Sequence, residues 1–293
     1  MDTNSNTKNN NNNKKLKVAL LFSGQARFFD SEPYESIKKH ILDNPNYDCE
    51  TFCHFWWDNG IQLKYECSPW NGWGELPIRK DTYQKLYDLY KPVSIKWNFP
   101  LAREETDFGL NTIHVNTPYN VRSMYTSLQR VYEQFEKVNN LKFDSNSKYD
   151  FIVRIRYDTI LEEFPDLKEL SKIYTEPTLF VTDKYPIEKY PESVFKDICV
   201  NECWFTNSLE FSNYLFNIKN HILDLYTTTQ NISDEQLFSE YIKRYLNSST
   251  KEEENKNEVN KNEDKKVVKL PTRIFKAEIP QKNTHLHLLK KEE

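Results

Sequence analysis

Two hydrophobic periods alternate along this chain. Residues 17–22 (Lys-Val-Ala-Leu-Leu-Phe) are a short continuous apolar run, the pattern of a strand buried on both faces. Residues 50–57 and 93–97 are rich in β-branched and aromatic side chains and predict two more strands. Helices are predicted over 34–42 and 81–90, the second stopped before Pro92. The strongest helical signal covers 119–138, where Val121, Met124, Tyr125, Leu128, Val131, Tyr132, Phe135 and Val138 recur on one stripe. That stripe is core. Strands are predicted over 151–156, 178–182 and 198–206, and a helix over 209–226. Another helix covers 233–246, with Ser233 as N-cap and Gln236 at capping-box spacing. Residues 267–270 and 273–279 offer late strands. Strands alternating with helices predict an α/β fold, a central mainly parallel sheet flanked by helices.

Two tracts interrupt the pattern. Residues 1–15 form an Asn-rich tail with no apolar residue among the first 13 beyond Met1. Residues 248–266 are a Glu/Lys/Asn insertion with a single Val. Neither can bury a core, and both are expected to be disordered. One domain is therefore expected over 16–247, completed by a closing strand segment at 267–280 and followed by a tail at 281–293. Net charge is −4 with acidic and basic residues interspersed, and no basic stripe marks a nucleic-acid surface. No 18-residue apolar run predicts a membrane span, and the N-terminus lacks a signal-peptide layout. Five cysteines, an odd number, predict reduced thiols and a cytoplasmic setting.

Candidate chemistry gathers in a few places. The stretch Tyr149-Asp150-Phe151-Ile152-Val153-Arg154-Ile155-Arg156-Tyr157-Asp158 puts Ile152, Arg154, Arg156 and Asp158 on one strand face by alternation. Buried charges are costly unless paired or met by a ligand. Two readings stay open: a structural Arg–Asp pair at a strand end, or a diphosphate and metal site. In the second, Asp158 would contribute little to the fold. Ser23, Gly24, Gln25 and Arg27 follow the first strand and could meet a ligand, or form an ordinary strand-to-helix turn; with one glycine this is no Walker loop. His54 is either a ligand contact or a hydrogen-bonded core residue. Cys49/Cys53 and Cys199/Cys203 are too far apart in extended chain, at roughly 13 Å, to share a zinc ion. Trp56, Trp57, Trp70 and Trp73 could stack on a sugar or pack a long loop. Asp234 and Glu235 either favour a helix start through its dipole or supply a general base.

These segments, in this order, resemble a family of glycosyltransferase-like proteins of large DNA virus or protist type with a GT-A-type nucleotide-sugar-binding fold. The matching motifs run from Lys17 to Arg27, from Phe52 to Trp57, from Asn120 to Arg130 around Ser123-Met124-Tyr125-Thr126-Ser127, and from Tyr149 to Asp158. They continue with Val200-Asn201-Glu202-Cys203-Trp204-Phe205 and Ser233-Asp234-Glu235-Gln236-Leu237. The resemblance implies one Rossmann-like domain that transfers a hexosyl group from a nucleoside-diphosphate sugar to a glycan or protein acceptor. It implies donor contacts from Ser23, Gly24, Gln25, Arg27, Arg154, Arg156 and Asp158, with Asp158 also holding a divalent cation (Mn2+ or Mg2+). Further implied are substrate contacts from His54, Trp56 and Glu202, and catalysis by Asp234 or Glu235. Arg154-x-Arg156-x-Asp158 stands where such folds carry an Asp-x-Asp motif, yet has a single Asp, and Glu202 replaces a commoner Asp. The rival reading is a non-catalytic nucleotide-sugar or glycan-binding module with a degenerate site.

Overall fold

The first apolar run forms β1 (Leu16–Gln25), whose side chains enter two separate cores. Val18, Leu20 and Phe22 pack on one side of the sheet, Ala19 and Leu21 on the other, all fully buried. A strand covered on both faces needs apolar residues at every position, which is why the run is continuous. The computed structural model describes residues 14–58, 64–66, 75–77, 79–102, 117–140, 148–182, 203–229, 234–251, 266–270 and 274–276.

After β1 come α1 (Glu32–Ile37), which closes in a π-helical turn over Lys38–Leu42, and β2 (Tyr47–Trp56). The short β3 (Lys64–Glu66) and β4 (Glu75–Pro77) precede α2 (Thr82–Tyr90), β5 (Ser94–Asn98) and α3 (Thr117–Asn139). Then follow β6 (Phe151–Ile155), β7 (Thr159–Leu161), α4 (Leu167–Ile173), β8 (Thr178–Thr182) and β9 (Cys203–Thr206). Last are α5 (Leu209–Phe216), α6 (Ile222–Thr229), α7 (Asp234–Lys251), β10 (Lys266–Leu270) and β11 (Ile274–Lys276).

Seven strands form one sheet in the order β10-β8-β9-β6-β1-β2-β5. β1 pairs parallel with β2 and with β6, β2 with β5, and β8 with β10. β9 is antiparallel to both β6 and β8, so it alone is reversed in this sheet. The fold is thus mixed α/β around a mainly parallel sheet, as the alternating periods predict. Helices α1, α2 and α4 cover one face through Ile37, Leu86, Tyr90 and Leu167. Helices α3, α5, α6 and α7 cover the other through Leu128, Phe135, Phe216, Leu225 and Phe238. Along the α3 stripe only Met124 and Val138 escape full burial, and Val138 is exposed in the last turn.

Several boundaries differ from expectation. The helix predicted over 209–226 is broken: α5 stops at Phe216, and a 3-10 turn over Ile218–His221 leads into α6. Asn217 explains the break, because its Nδ2 donates to the Asn213 carbonyl at 2.7 Å and so competes with the helical ladder. Helix α7 runs to Lys251 and β10 opens at Lys266, so both enter the tract expected to be disordered. Residues 1–13, 252–265 and 198–202 lie outside the described residues. β7, at three residues, is too short to show a period. α4 does carry a readable start, since the Asp166 side chain accepts from the Lys168 N–H at 2.8 Å. No helix among the described residues is long and apolar enough to cross a membrane.

Candidate functional site

From β1 the chain steps to β2 and β5 on one side, and β6 then lands on the other side of β1. Strand order therefore reverses between β1 and β6. In open α/β sheets, ligands gather at the carboxyl ends of the strands flanking such a reversal. The loops leaving these two strands hold Arg27 and Arg156-Tyr157-Asp158.

Those side chains meet. Arg27 Nη2 donates to Asp158 Oδ2 at 2.7 Å, Arg156 Nε to Oδ1 at 2.8 Å, and Arg156 Nη2 to Oδ2 at 2.8 Å. The side chains of Arg27, Arg156 and Asp158 are 8%, 18% and 3% exposed. Two guanidiniums around one carboxylate leave the trio with a net positive charge. Arg27 Nε and the Ser23 hydroxyl are also buried, and neither has a hydrogen-bond partner among the described residues.

Local structure fixes both arms. Gly24 adopts φ +116° and Phe28 φ +54°, which turns β1 sharply toward α1. The Phe29 carbonyl accepts from Tyr90 Oη at 2.9 Å, and Asp30 accepts from Arg79 Nη1 and Lys85 Nζ. On the other arm Tyr157 is fully buried, lies against Phe22 with ring centroids 5.6 Å apart, and donates to the His54 carbonyl at 3.3 Å. Gly24→Ala tests the first arm. Open space surrounds the missing Cβ, so the expected loss of about 1–3 kcal/mol comes from the backbone alone. Urea denaturation checks it, and an unchanged midpoint would show that the loop relaxes.

Sequence alternation holds only to the end of β6. Ile152 faces the α3 side, while Phe151, Val153 and Ile155 face the other. Past Ile155 the strand is over, and Arg156 to Asp158 form a turn into β7. Asp158 therefore bonds Arg27 and Arg156, both carboxylate oxygens being held by guanidiniums. This corrects the expectation that it contributes little to the fold. Arg154, two positions short of the edge, is fully enclosed at the level of Leu21 and Trp204. Arg27 and Arg156 border the edge in its place.

His54 and Trp56, expected to contact substrate, lie on β2. Both are buried. His54 Nδ1 is 2.6 Å from Ser127 Oγ and Nε2 is 3.0 Å from Asn98 Oδ1. Ser127 Oγ in turn accepts the Gly24 N–H at 2.7 Å. Burial favours a neutral ring, in which Nε2–H donates to Asn98 and Nδ1 accepts from the Ser127 hydroxyl. The His54 and Trp56 rings stand at right angles with centroids 5.1 Å apart, Arg130 lies over the Trp56 ring at 5.0 Å, and Trp56 is 2% exposed. Trp57 is likewise buried, bonded through Nε1 to the Arg79 carbonyl. Ser127, which ties α3 to both β1 and β2, was the residue that spacing alone missed; a serine beside an apolar helical stripe was its signal.

The neutral His54 sets a pH dependence. Burial pushes its pKa from 6.5 to about 4, with Arg130 and Lys96 adding to the shift and the Asn98 bond opposing it. Between those values the unfolded chain binds a proton that the folded chain refuses. Stability is therefore full above pH 6.5 and falls as pH drops toward 4, by about 3 kcal/mol. His54→Gln should lose this part of the slope. Parallel pH profiles for the two proteins would mean the folded ring is not held neutral.

Of the other expected site residues, Gln25 ends β1 and is half-buried, and Asp234 opens α7 with Glu235 half-buried beside it. The side chain of Asp234, together with Glu202, Trp70 and Trp73, lies outside the described residues. An open groove of about 500 Å³ is lined by Glu32, Glu35, Glu162 and Glu163, among others. Its four carboxylates outnumber the Lys39 ammonium and disfavour a diphosphate, so the edge between β1 and β6 is the stronger site. A divalent cation does not fit the described donor set there. Both oxygens of Asp158 accept from guanidiniums, which fill three of its roughly four acceptor sites, and no group of three His, Cys, Asp or Glu among the described residues is placed to hold a metal.

No protein-family model matches this chain, and no curated protein matches its sequence. Among solved structures it is similar to the galactosyltransferase LgtC in complex with donor and acceptor sugar analogues. Identity is 10% and the TM-score 0.39, over 76% of this chain and 69% of that one. An active-site mutant of LgtC is similar at 10% identity and TM-score 0.38, over 76% of this chain and 68% of the other.

Proposed function

We propose that this chain is a GT-A-type glycosyltransferase that moves a hexosyl group from a nucleoside-diphosphate sugar to a glycan or protein acceptor. The observation that carries the reading is the Arg27–Asp158–Arg156 trio at the point where strand order reverses. Glycosyl transfer breaks the bond between the sugar's anomeric carbon and the diphosphate oxygen, and negative charge grows on that oxygen. Guanidiniums held in place before the reaction stabilise such charge at no cost of rearrangement. Ser23, Gly24 and Gln25 end the neighbouring strand, where backbone can approach the donor closely. The acceptor oxygen attacks the same carbon as its proton passes to a carboxylate, the role proposed for Asp234 or Glu235. Glu202 is proposed to meet the substrate.

Purified protein incubated with a panel of nucleoside-diphosphate sugars should release free nucleoside diphosphate from at least one. Binding without release would favour the binding-module reading, and neither would remove both. Asp234→Asn or Glu235→Gln should slow transfer to the acceptor at least about tenfold while leaving donor affinity near that of the parent. Parent-like transfer by both variants would take the α7 start out of the reaction.

A further inference from the structure

We infer that the donor diphosphate is held at this edge by Arg27 and Arg156 without a divalent cation, and that Asp158 is the positioning residue that sets the two guanidiniums. The inference rests on the nucleotide-sugar reading above and names how that site handles charge.

Two sets of observations support it. Three of the roughly four acceptor sites of Asp158 already hold guanidinium N–H groups, Oδ1 from Arg156 and Oδ2 from both arginines, so a cation would have to compete with them. It would also stand beside two positive groups in a region nearly closed to water, where repulsion between like charges is strong. An anion meets the opposite situation. The trio carries net positive charge, and a planar guanidinium offers several N–H groups in a fork that matches phosphate oxygens. Arg27 is 92% buried by residue and its Nε has no hydrogen-bond partner among the described residues, an arrangement that is costly until an acceptor arrives. The Ser23 hydroxyl, buried at the end of the same strand, is a second donor in the same condition.

The roles of the residues then separate. Arg27 and Arg156 touch the diphosphate. Asp158 acts through them, because a carboxylate bridging two guanidiniums fixes the angle and spacing at which their remaining N–H groups are presented. Lysine in place of either arginine keeps the charge and loses the fork.

Titration calorimetry with UDP and with GDP tests this on the full chain, once in excess EDTA and once with MnCl2. At least one nucleotide should bind, with affinities in the two conditions agreeing within about threefold. Arg156→Lys should weaken binding about tenfold in both conditions. Asp158→Asn, measured well below its melting temperature, should weaken binding by the same factor with and without Mn2+. Binding that appears or strengthens more than about tenfold only with Mn2+, and loses that gain in Asp158→Asn, would overturn the inference and leave the glycosyltransferase reading standing. Binding of neither nucleotide in either condition would remove the nucleotide-sugar reading itself. Arg156→Lys with parent-like affinity would reduce the trio to a purely structural ion pair.

Discussion

Asp158→Ala should melt roughly 10 °C below the parent protein, and the loss should be electrostatic. The change removes a carboxylate that accepts three hydrogen bonds and is only 3% exposed. It leaves two guanidiniums facing each other across the gap, one of them nearly closed to solvent. Stranding a buried charge costs about 3–5 kcal/mol, and in a protein of this size each kcal/mol moves the midpoint by roughly 2–4 °C. Arg156 is the more exposed partner at 18%, so part of its share is recovered by water. Arg27 is not so placed and should account for most of the loss. The double variant Arg27→Met/Asp158→Ala should therefore be more stable than Asp158→Ala alone, because it removes the stranded charge along with its partner. A melting temperature within about 2 °C of the parent for Asp158→Ala would show that the trio is well hydrated in solution.

Trp204→Ala should lose about 3–5 kcal/mol, the range for removing a fully enclosed large aromatic side chain. Trp204 is completely buried on β9, with Phe216 of α5 at 5.0 Å and Phe238 of α7 at 6.1 Å. It sits opposite Arg154 on β6 and Val181 on β8. One side chain thus joins the reversed strand to two covering helices, and the void left by alanine cannot be filled from one side only. Trp204→Phe should keep part of the contact and lose correspondingly less. Urea titration reads both, and an unchanged dependence on denaturant would indicate that only the native packing has changed. Equal midpoints for the alanine variant and the parent would mean that β9 is not held by this contact.

The strands and helices are legible in the sequence because a strand covered on both faces and an amphipathic helix leave different periods. Residues 17–22 and the α3 stripe are the clearest cases. The site is legible only in halves. Ser23 to Arg27 and Arg156 to Asp158 each mark a strand end, but the bond joining Arg27 to Asp158 spans 131 positions, and no local period encodes it. Alternation also places Arg156 and Asp158 on a face that ceases to exist once β6 ends at Ile155. His54 shows the same limit. Its residue type leaves a ligand contact and a core residue both open, and the partners Ser127 and Asn98 that tie it into the interior are 73 and 44 positions away.

The placement of β1 has a consequence for how the chain is made. β1 leaves the ribosome before both of its partners and becomes an interior strand of the sheet, with β2 along one edge and β6 along the other. β2 arrives soon after, but β6 is complete only at Ile155, past the midpoint of the chain. Until then one edge of β1 presents unpaired N–H and C=O groups flanked by Leu20 and Phe22, a template for pairing with another nascent chain. A fragment that keeps β1 and stops before residue 151 inherits two liabilities: an open central edge prone to aggregation, and an Arg27 with no carboxylate opposite it.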